Sequence, residues 1–326
     1  VKITVLSGGV GGARFLRGLR HHLCESLPDG AGGTTAEITA VVNTGDDMWL
    51  AGLRIAPDLD SIMYTLAGAN DEVRGWGRIG ETERVSAELE AYGVGWPWFT
   101  LGDLDLGTHI ARSHFLRAGL TLSQATARIT ARWAIGVTLL PVTDDEVETH
   151  VVTDEGTLHF QEWWTRHRAS LKARRFVQHN VSTARPGPGV LDAIATADLI
   201  FVAPSNPVVS IGTILGIPGM RAALGEASAA IVGVSPIIDG AVVRGMADVC
   251  LTAIGVATSA EAVGVHYGER SAGGLLDAWL VDESDASAVP ALEAAGIRAV
   301  AVPLWMRDLE SSARLAADAL SVGMQV

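Results

Sequence analysis

The sequence predicts an α/β protein, a parallel sheet covered by helices, and three observations predict it. Short apolar runs rich in β-branched residues recur at 3–6, 38–42, 199–202, 230–234 and 299–302. These runs are continuous rather than alternating, which suits strands buried on both faces, and helix-period stretches lie between them. The 326 residues are 48% apolar, enough for a large core in one domain or two smaller ones.

Taken in order, the first run is followed by SGGVGGAR (7–14), and a helical period sets in from about Ala13. The segment DGAGGTT (29–35) reads as a flexible loop before the second run. Residues 43–198 separate the second and third runs, far more than one strand-to-strand crossover needs. The expectation is a core of residues 1–70 and 189–326 with a mixed, largely helical insertion at 71–188. Within the insertion, Gly/Trp-rich loops come first and helix is expected over 103–133. Three short strands at 137–142, 149–152 and 157–160 then read as an antiparallel meander, because acidic or glycine-containing turns separate them. The basic run TRHRASLKARR (165–175) reads as a solvated helix face.

Charge and cysteine content exclude several classes. With 24 Lys+Arg against 37 Asp+Glu, the net charge is −13, which argues against nucleic acid or an anionic membrane surface as partner. Cys24 and Cys250 offer neither a disulfide framework nor a CxxC metal site. The first residues lack a signal-like pattern and no apolar run reaches ~18–20 residues, so a cytoplasmic protein is expected.

Ligands of open parallel sheets bind outside the carboxyl ends of the strands, so the residues after each run carry the functional reading. In SGGVGGAR, Arg14 stands where a dinucleotide fingerprint needs its last glycine, and the lysine of a P-loop is absent. What remains is a glycine turn at a helix start: Gly9, Gly11 and Gly12 can bring backbone N–H groups to an anion, with Arg14 as a further phosphate contact. Without a ligand the same residues make a plain strand-to-helix turn. NTGDD and APDLDS place Asp46, Asp47, Asp58 and Asp60 within fifteen residues (46–60), a set able to hold Mg²⁺ beside phosphate or to cap a helix near Ser61. APSNPVVSIGTIL (203–215) offers Ser205 and Asn206 as a second phosphate-contacting turn or as a capped loop. Asp105, His109 and Arg112 fall at i, i+4 and i+7 of a helix, an ion-pair row facing solvent or a group that orients substrate. Zinc spacing and a nucleophile elbow are both missing, so covalent catalysis is not indicated.

These segments resemble one family, the 2-phospho-L-lactate transferases of coenzyme F-420 biosynthesis. TVLSGGVGGARFLRGL, VVNTGDD, APDLDSIMYTLAG, RGWGRIGETER, LGDLDLGTHIARSHFLRAG, LPVTDDEVETHV, HFQEWW and APSNPVVSIGTIL all fall in family order across nearly the whole chain. The likeness is closest to bacterial members that use an enolpyruvyl donor. Mild departures occur at Gly107, where alanine is expected, and at Leu104, where a charge is common.

The resemblance implies a Rossmann-like core, a homodimer and a divalent cation, Mg²⁺. It implies a guanosine diphosphate-linked enolpyruvate or phospholactate donor and the deazaflavin Fo as acceptor. The terminal ribityl hydroxyl of Fo would displace GMP to give dehydro-F-420-0 or F-420-0. Carried over by residue, Asp47 is the expected Fo contact; it would orient the ribityl hydroxyl or accept its proton, and Asp60 is the second expected catalytic carboxylate. Asp46 and Asp60 are the expected metal ligands, with Asp47 or Asp58 able to replace either. Arg84 is the expected basic Fo or phosphate contact. Gly9, Gly11, Gly12, Arg14, His109, Ser205 and Asn206 complete the expected substrate site. Two other classes compete: a non-catalytic sugar-nucleotide-sensing regulator of related fold, and a dinucleotide-dependent oxidoreductase, which Arg14 opposes.

Overall fold

A computed structural model describes residues 1–326. Strand β1 (Lys2–Ser7) leads into helix α1 (Gly9–Ser26), and β2 (Glu37–Val42) follows. A small hairpin, β3 (Met48–Leu50) with β4 (Leu53–Ile55), precedes α2 (Pro57–Leu66). Next come α3 (Arg84–Ala91), α4 (Asp103–Arg117), α5 (Leu122–Thr130) and β5 (Thr138–Pro141). Strands β6 (Glu148–Thr153), β7 (Gly156–His159) and β8 (Arg175–His179) form a separate antiparallel sheet in the order β7-β6-β8. The rest of the chain supplies β9 (Leu199–Val202), β10 (Ala230–Val234), a two-residue-per-strand hairpin β11 (Ile237–Ile238) and β12 (Ala241–Val242), then β13 (Ala278–Val281) and β14 (Arg298–Ala301).

The central sheet has seven strands in the order β14-β13-β10-β9-β1-β2-β5, every neighbouring pair parallel. Alternate residues build two cores. Ile3, Val5, Phe201 and Val232 pack with Phe15, Leu16 and Leu19 of α1, Leu59 and Ile62 of α2, and Leu315 and Ala316 of the C-terminal helix Leu309–Gly323. Leu6, Val41, Ile200, Val202 and Trp279 turn to the opposite face, against helices Val190–Ala195, Ile211–Gly216 and Met220–Glu226. Burial on both faces explains why β1, β2, β9 and β10 read as unbroken apolar runs.

Several sequence expectations change. The run at 137–142 does not join a meander: β5 is the edge strand of the central sheet, with Val41 opposite Leu140. The meander's third strand is instead β8, so the basic run 165–175 is not a helix face but a short π-turn, Glu162–Arg166, leading by irregular chain into that strand. Strand β13 was absent from the sequence reading. Helix α1 begins at Gly9 inside the glycine run rather than near Ala13. The helix expected over 103–133 is broken, with Gly119 at φ +91° between α4 and α5.

Connectivity reverses direction at β1. The chain runs outward through β2 to β5, then returns to β9 on the other side of β1. The crevice beyond the carboxyl ends of β1 and β9 is therefore the sheet's switch point, where open α/β sheets bind ligands.

Candidate active site

At that switch point, the chain following β1 closes against the chain following β9. The Ser205 hydroxyl accepts the Gly8 N–H at 2.9 Å and donates to the Gly8 carbonyl at 2.7 Å. Gly9 has φ +59°, a left-handed conformation that costs glycine least. Gly11 lies so close to the Pro204 carbonyl that a Cβ there would sit 2.2 Å from the oxygen. The glycines thus serve close backbone approach between two strand ends at the start of an 18-residue helix, and N–H groups at such a helix start favour an anion.

Beyond β2, Asn43 organises the acidic turn. Its amide oxygen accepts the Gly45 N–H at 2.9 Å, and its amide nitrogen donates to Asp58 Oδ2 at 2.9 Å. Asp58, in the first turn of α2, also accepts the Gly9 N–H, which joins the acidic cluster to the glycine turn. Asp46, Asp47 and Asp58 are all buried, and Asp46 Oδ1 and both Asp47 carboxylate oxygens have no hydrogen-bond partner. Burial pushes Asp46 well above the usual carboxylate range, and the neighbouring charges of Asp58 and Asp47 push it further. Asp47 is raised to about 7 by burial, against the opposing pull of Arg54 and Arg112. Burial raises Asp58 to about 6, against hydrogen bonds from Asn43 and Gly9. The nearest cation to Asp47 is Arg54 on β4, whose Nη2 stands 3.6 Å from Oδ2.

Asp60 lies one helical step away in a different environment. Arg112 of α4 grips both its oxygens, with Nη1 to Oδ2 at 3.0 Å and Nη2 on Oδ1. His109 sits behind the pair, Nδ1 3.5 Å from Asp60 and Nε2 3.3 Å from Asp105, and the Tyr64 hydroxyl donates to Asp105 at 2.7 Å. The row Asp105, His109, Arg112 is consequently not a solvent-facing ion-pair row: all three side chains are buried. Ligand atoms of Asp60, Asp105 and His109 come within 4.8 Å of one another. Yet the Arg112 guanidinium already fills this place, 3.2 Å from His109 Nδ1, and a second cation would meet it head on.

The expected site residues therefore divide. Gly9, Gly11, Gly12, Asp46, Asp47, Asp58 and Ser205 converge on the switch point. Arg14 lies farther along α1, where its Nη1 donates to the Met306 carbonyl at 3.3 Å. Ser205 and Asn206 use their side chains within the protein; Asn206 Oδ1 accepts the Val208 N–H at 2.9 Å and its amide nitrogen donates to Cys250 Sγ at 3.4 Å. Arg84 stands exposed at the start of α3, with Asp103 the carboxylate its charge acts on, and it makes no hydrogen bond or ion pair. His109 is buried beside Asp60, its Nδ1 3.5 Å from that carboxylate.

Sequence reasoning missed Asn43 and Arg54, the residues that orient the acidic turn; a basic residue in a tight hairpin just after two aspartates was the one available signal. It also missed how the second sheet reaches the site: the Thr149 N–H of β6 donates to the Gly45 carbonyl at 2.7 Å.

The Asp46–Asp47–Asp58 group suits a hard divalent cation. Its donors are all oxygens, three of them lack partners, and the buried like charges need a counter-charge. Asp60 suits it less, since both its oxygens are taken by Arg112.

Comparison with known proteins finds relatives along the whole chain. The family model described as 2-phospho-L-lactate transferase CofD matches residues 3–312. A phosphoenolpyruvate transferase of Streptomyces griseus is 52% identical over 330 residues, covering 100% of this chain and 99% of its own length. One from Thermobifida fusca is 53% identical over 333 residues, covering 100% and 99%. Another from Nocardia farcinica is 50% identical over 328 residues, covering 98% and 94%. A solved Bacillus halodurans structure shares the fold with a TM-score of 0.62 at 18% identity, covering 98% of this chain and 99% of that one.

Proposed function

This chain belongs to the 2-phospho-L-lactate transferase CofD family and is an enzyme of the phosphoenolpyruvate or phospholactate transferase type; from that premise we propose its particular reaction. The donor is a guanosine diphosphate ester of enolpyruvate, and the acceptor is the deazaflavin Fo. The terminal ribityl hydroxyl attacks the phosphorus that carries the acid. The P–O bond to GMP breaks, GMP leaves with the electron pair, and the phosphodiester dehydro-F-420-0 forms. The relatives' name, at about half identity over the full length, favours the enolpyruvyl unit over phospholactate.

One observation carries the reading. Three buried carboxylates, two of them (Asp46 and Asp47) with unpartnered oxygens, lie beside the glycine turn, joined to it through Asp58 and the Gly9 N–H. Phosphoryl-type transfer asks a protein for positioning and charge compensation more than for covalent participation. In this scheme the N–H groups of Gly11 and Gly12 hold the donor diphosphate, the Gly9 N–H stays on Asp58, and Ser205 fixes the turn by holding Gly8. Asp46 and Asp58 would hold Mg²⁺, which supplies charge neutralisation on the diphosphate when bound. Asp47, raised to about 7, accepts the proton of the attacking hydroxyl, a role best filled by a group that titrates near the working pH. Arg54 holds Asp47 in place and limits that rise. We assign the part of 71–188 outside the central sheet, which keeps β5 for itself, to covering the acceptor, with the partly exposed stack of Trp96 on Trp98 (ring centroids 4.6 Å apart) offering a flat aromatic wall.

The test is a competition. Guanosine diphosphate-activated enolpyruvate and phospholactate are offered together with Fo and Mg²⁺, and the product mass is read. The expected product is dehydro-F-420-0 with stoichiometric GMP. Nucleotide binding without any Fo-dependent GMP release would instead mark a non-catalytic sensor and end this reading.

A further inference from the structure

Beside the carboxylates, between α1 and α2, is a recess with an unbalanced charge. It is lined by Arg14 and Arg17 of α1, Ser61 of α2, Glu72 and Trp76 of the following loop, and Arg244 from the chain after β12. Arg17 is paired with Glu72. Arg14 has only the Met306 carbonyl, and Arg244 makes no hydrogen bond or ion pair. Three guanidinium groups thus share one carboxylate. They also face one another: burial and the like charges of Arg244 and Arg17 lower the affinity of Arg14 for its proton. Arg244 is seated by the backbone of Gly75, at φ +80°, where a Cβ would overlap its guanidinium. A cation brought against other cations through a glycine notch, with no protein anion to meet it, is arranged for an anion from outside.

The recess shares the glycine-turn end of α1: Val10 in its wall is the residue next to Gly9, whose N–H meets Asp58. We propose that Arg14 and Arg244 form the subsite for the carboxylate of the donor's three-carbon acid, and so select donors whose transferred group is an acid. This rests on the transferase reading above. The glycine turn accounts for the diphosphate, so the remaining anionic group of the donor is that carboxylate, whose planar pair of oxygens matches a guanidinium fork. Arg17 is neutralised by Glu72 and stays with it.

Steady-state kinetics on Arg244→Ala and Arg244→Lys, with Fo and Mg²⁺ saturating, test the assignment alongside calorimetric binding of GDP. Loss of a charge-assisted bidentate contact corresponds to roughly a 10- to 100-fold rise in KM for the donor. The Arg244→Ala variant should show that rise while binding GDP as the wild type does, and lysine should recover only part of it. An equal loss of GDP and donor affinity would place a nucleotide phosphate, not the carboxylate, in the recess and overturn the proposal. Unchanged donor KM would overturn it too. These failures differ from failure of the transferase reading, in which the wild-type chain itself releases no GMP and both fall together. A circular dichroism melt of each variant checks that the fold persists.

Discussion

Asp60 and Arg112 are joined inside the protein by a two-point ion pair, the carboxylate held along both oxygens and the guanidinium extended to the Arg54 carbonyl at 3.3 Å. Each side chain is almost wholly buried, so neither charge has water to fall back on. This pair connects α2 to α4 directly behind the acidic turn, and Arg112 also draws on Asp47.

Removing one partner strands the other. Asp60→Ala is expected to destabilise the fold by about 3–5 kcal/mol, the usual cost of an uncompensated buried charge. The double variant Asp60→Leu/Arg112→Met should recover much of that loss. Urea titration of the three proteins checks this; equal stability of wild type and Asp60→Ala would show that the pair contributes little.

Asp46 and Asp58 behave oppositely. Charging either one is costly: burial raises both, and the charges of Asp58 and Asp47 raise Asp46 further. Asp46→Asn and Asp58→Asn are therefore expected to melt no lower than wild type without metal, to lack the Tm increase expected of wild type with Mg²⁺, and to lose more than about 100-fold in turnover. Fluorimetric melts with and without Mg²⁺ read the first two effects, and GMP release reads the third.

The pH dependence follows in sign from the raised carboxylates. Asp47 and Asp58 hold their protons to about 7 and about 6 in the folded chain, against an ordinary Asp value of about 3.9 when unfolded. The folded state then binds more protons than the unfolded one between these values. Stability from these groups is fully present below pH ~4 and is lost as pH rises through 6 to 7. Metal requires the deprotonated forms, so the Mg²⁺-induced Tm shift should grow from pH 5.5 to pH 8, and kcat/KM should climb through about pH 7. A Tm shift independent of pH would count against carboxylate ligation.

Gly11 gives a steric prediction. A methyl group there would press on the Pro204 carbonyl, a backbone atom that cannot rotate away. Gly11→Ala is expected to cost about 1–3 kcal/mol, as overpacking does, and to weaken GDP binding at least tenfold. Melting and calorimetry report the two effects separately.

Much of the core was legible because burial on both faces leaves a plain mark. β1, β2, β9 and β10 are dense in Ile and Val, and each ends in glycine, small polar or proline residues. β13 left a weaker mark: LLDAWLV has few β-branched residues, and its apolar run suits a buried helix equally well. β5 was assigned to the wrong sheet because sequence adjacency favours the local hairpin, whereas its partner β2 lies about a hundred residues earlier. At the site, the acidic residues and glycines showed themselves by composition. What they bind to within the protein did not. Arg112 meets Asp60 across 52 residues, and nothing in the spacing of α4 tells a buried polar face from a solvated one.

The Ser205 hydroxyl that clasps Gly8 has a consequence for how the protein comes into being. Its two hydrogen bonds span 197 positions of chain, and β9, which carries the serine to its place, pairs directly with β1. A ribosome-bound nascent chain that has emerged only through β5 already carries every aspartate of the acidic turn but has no nucleotide crevice. Any ligand of that crevice can accordingly stabilise the chain only once β9 has been made, and chains truncated before that point should not be rescued by it.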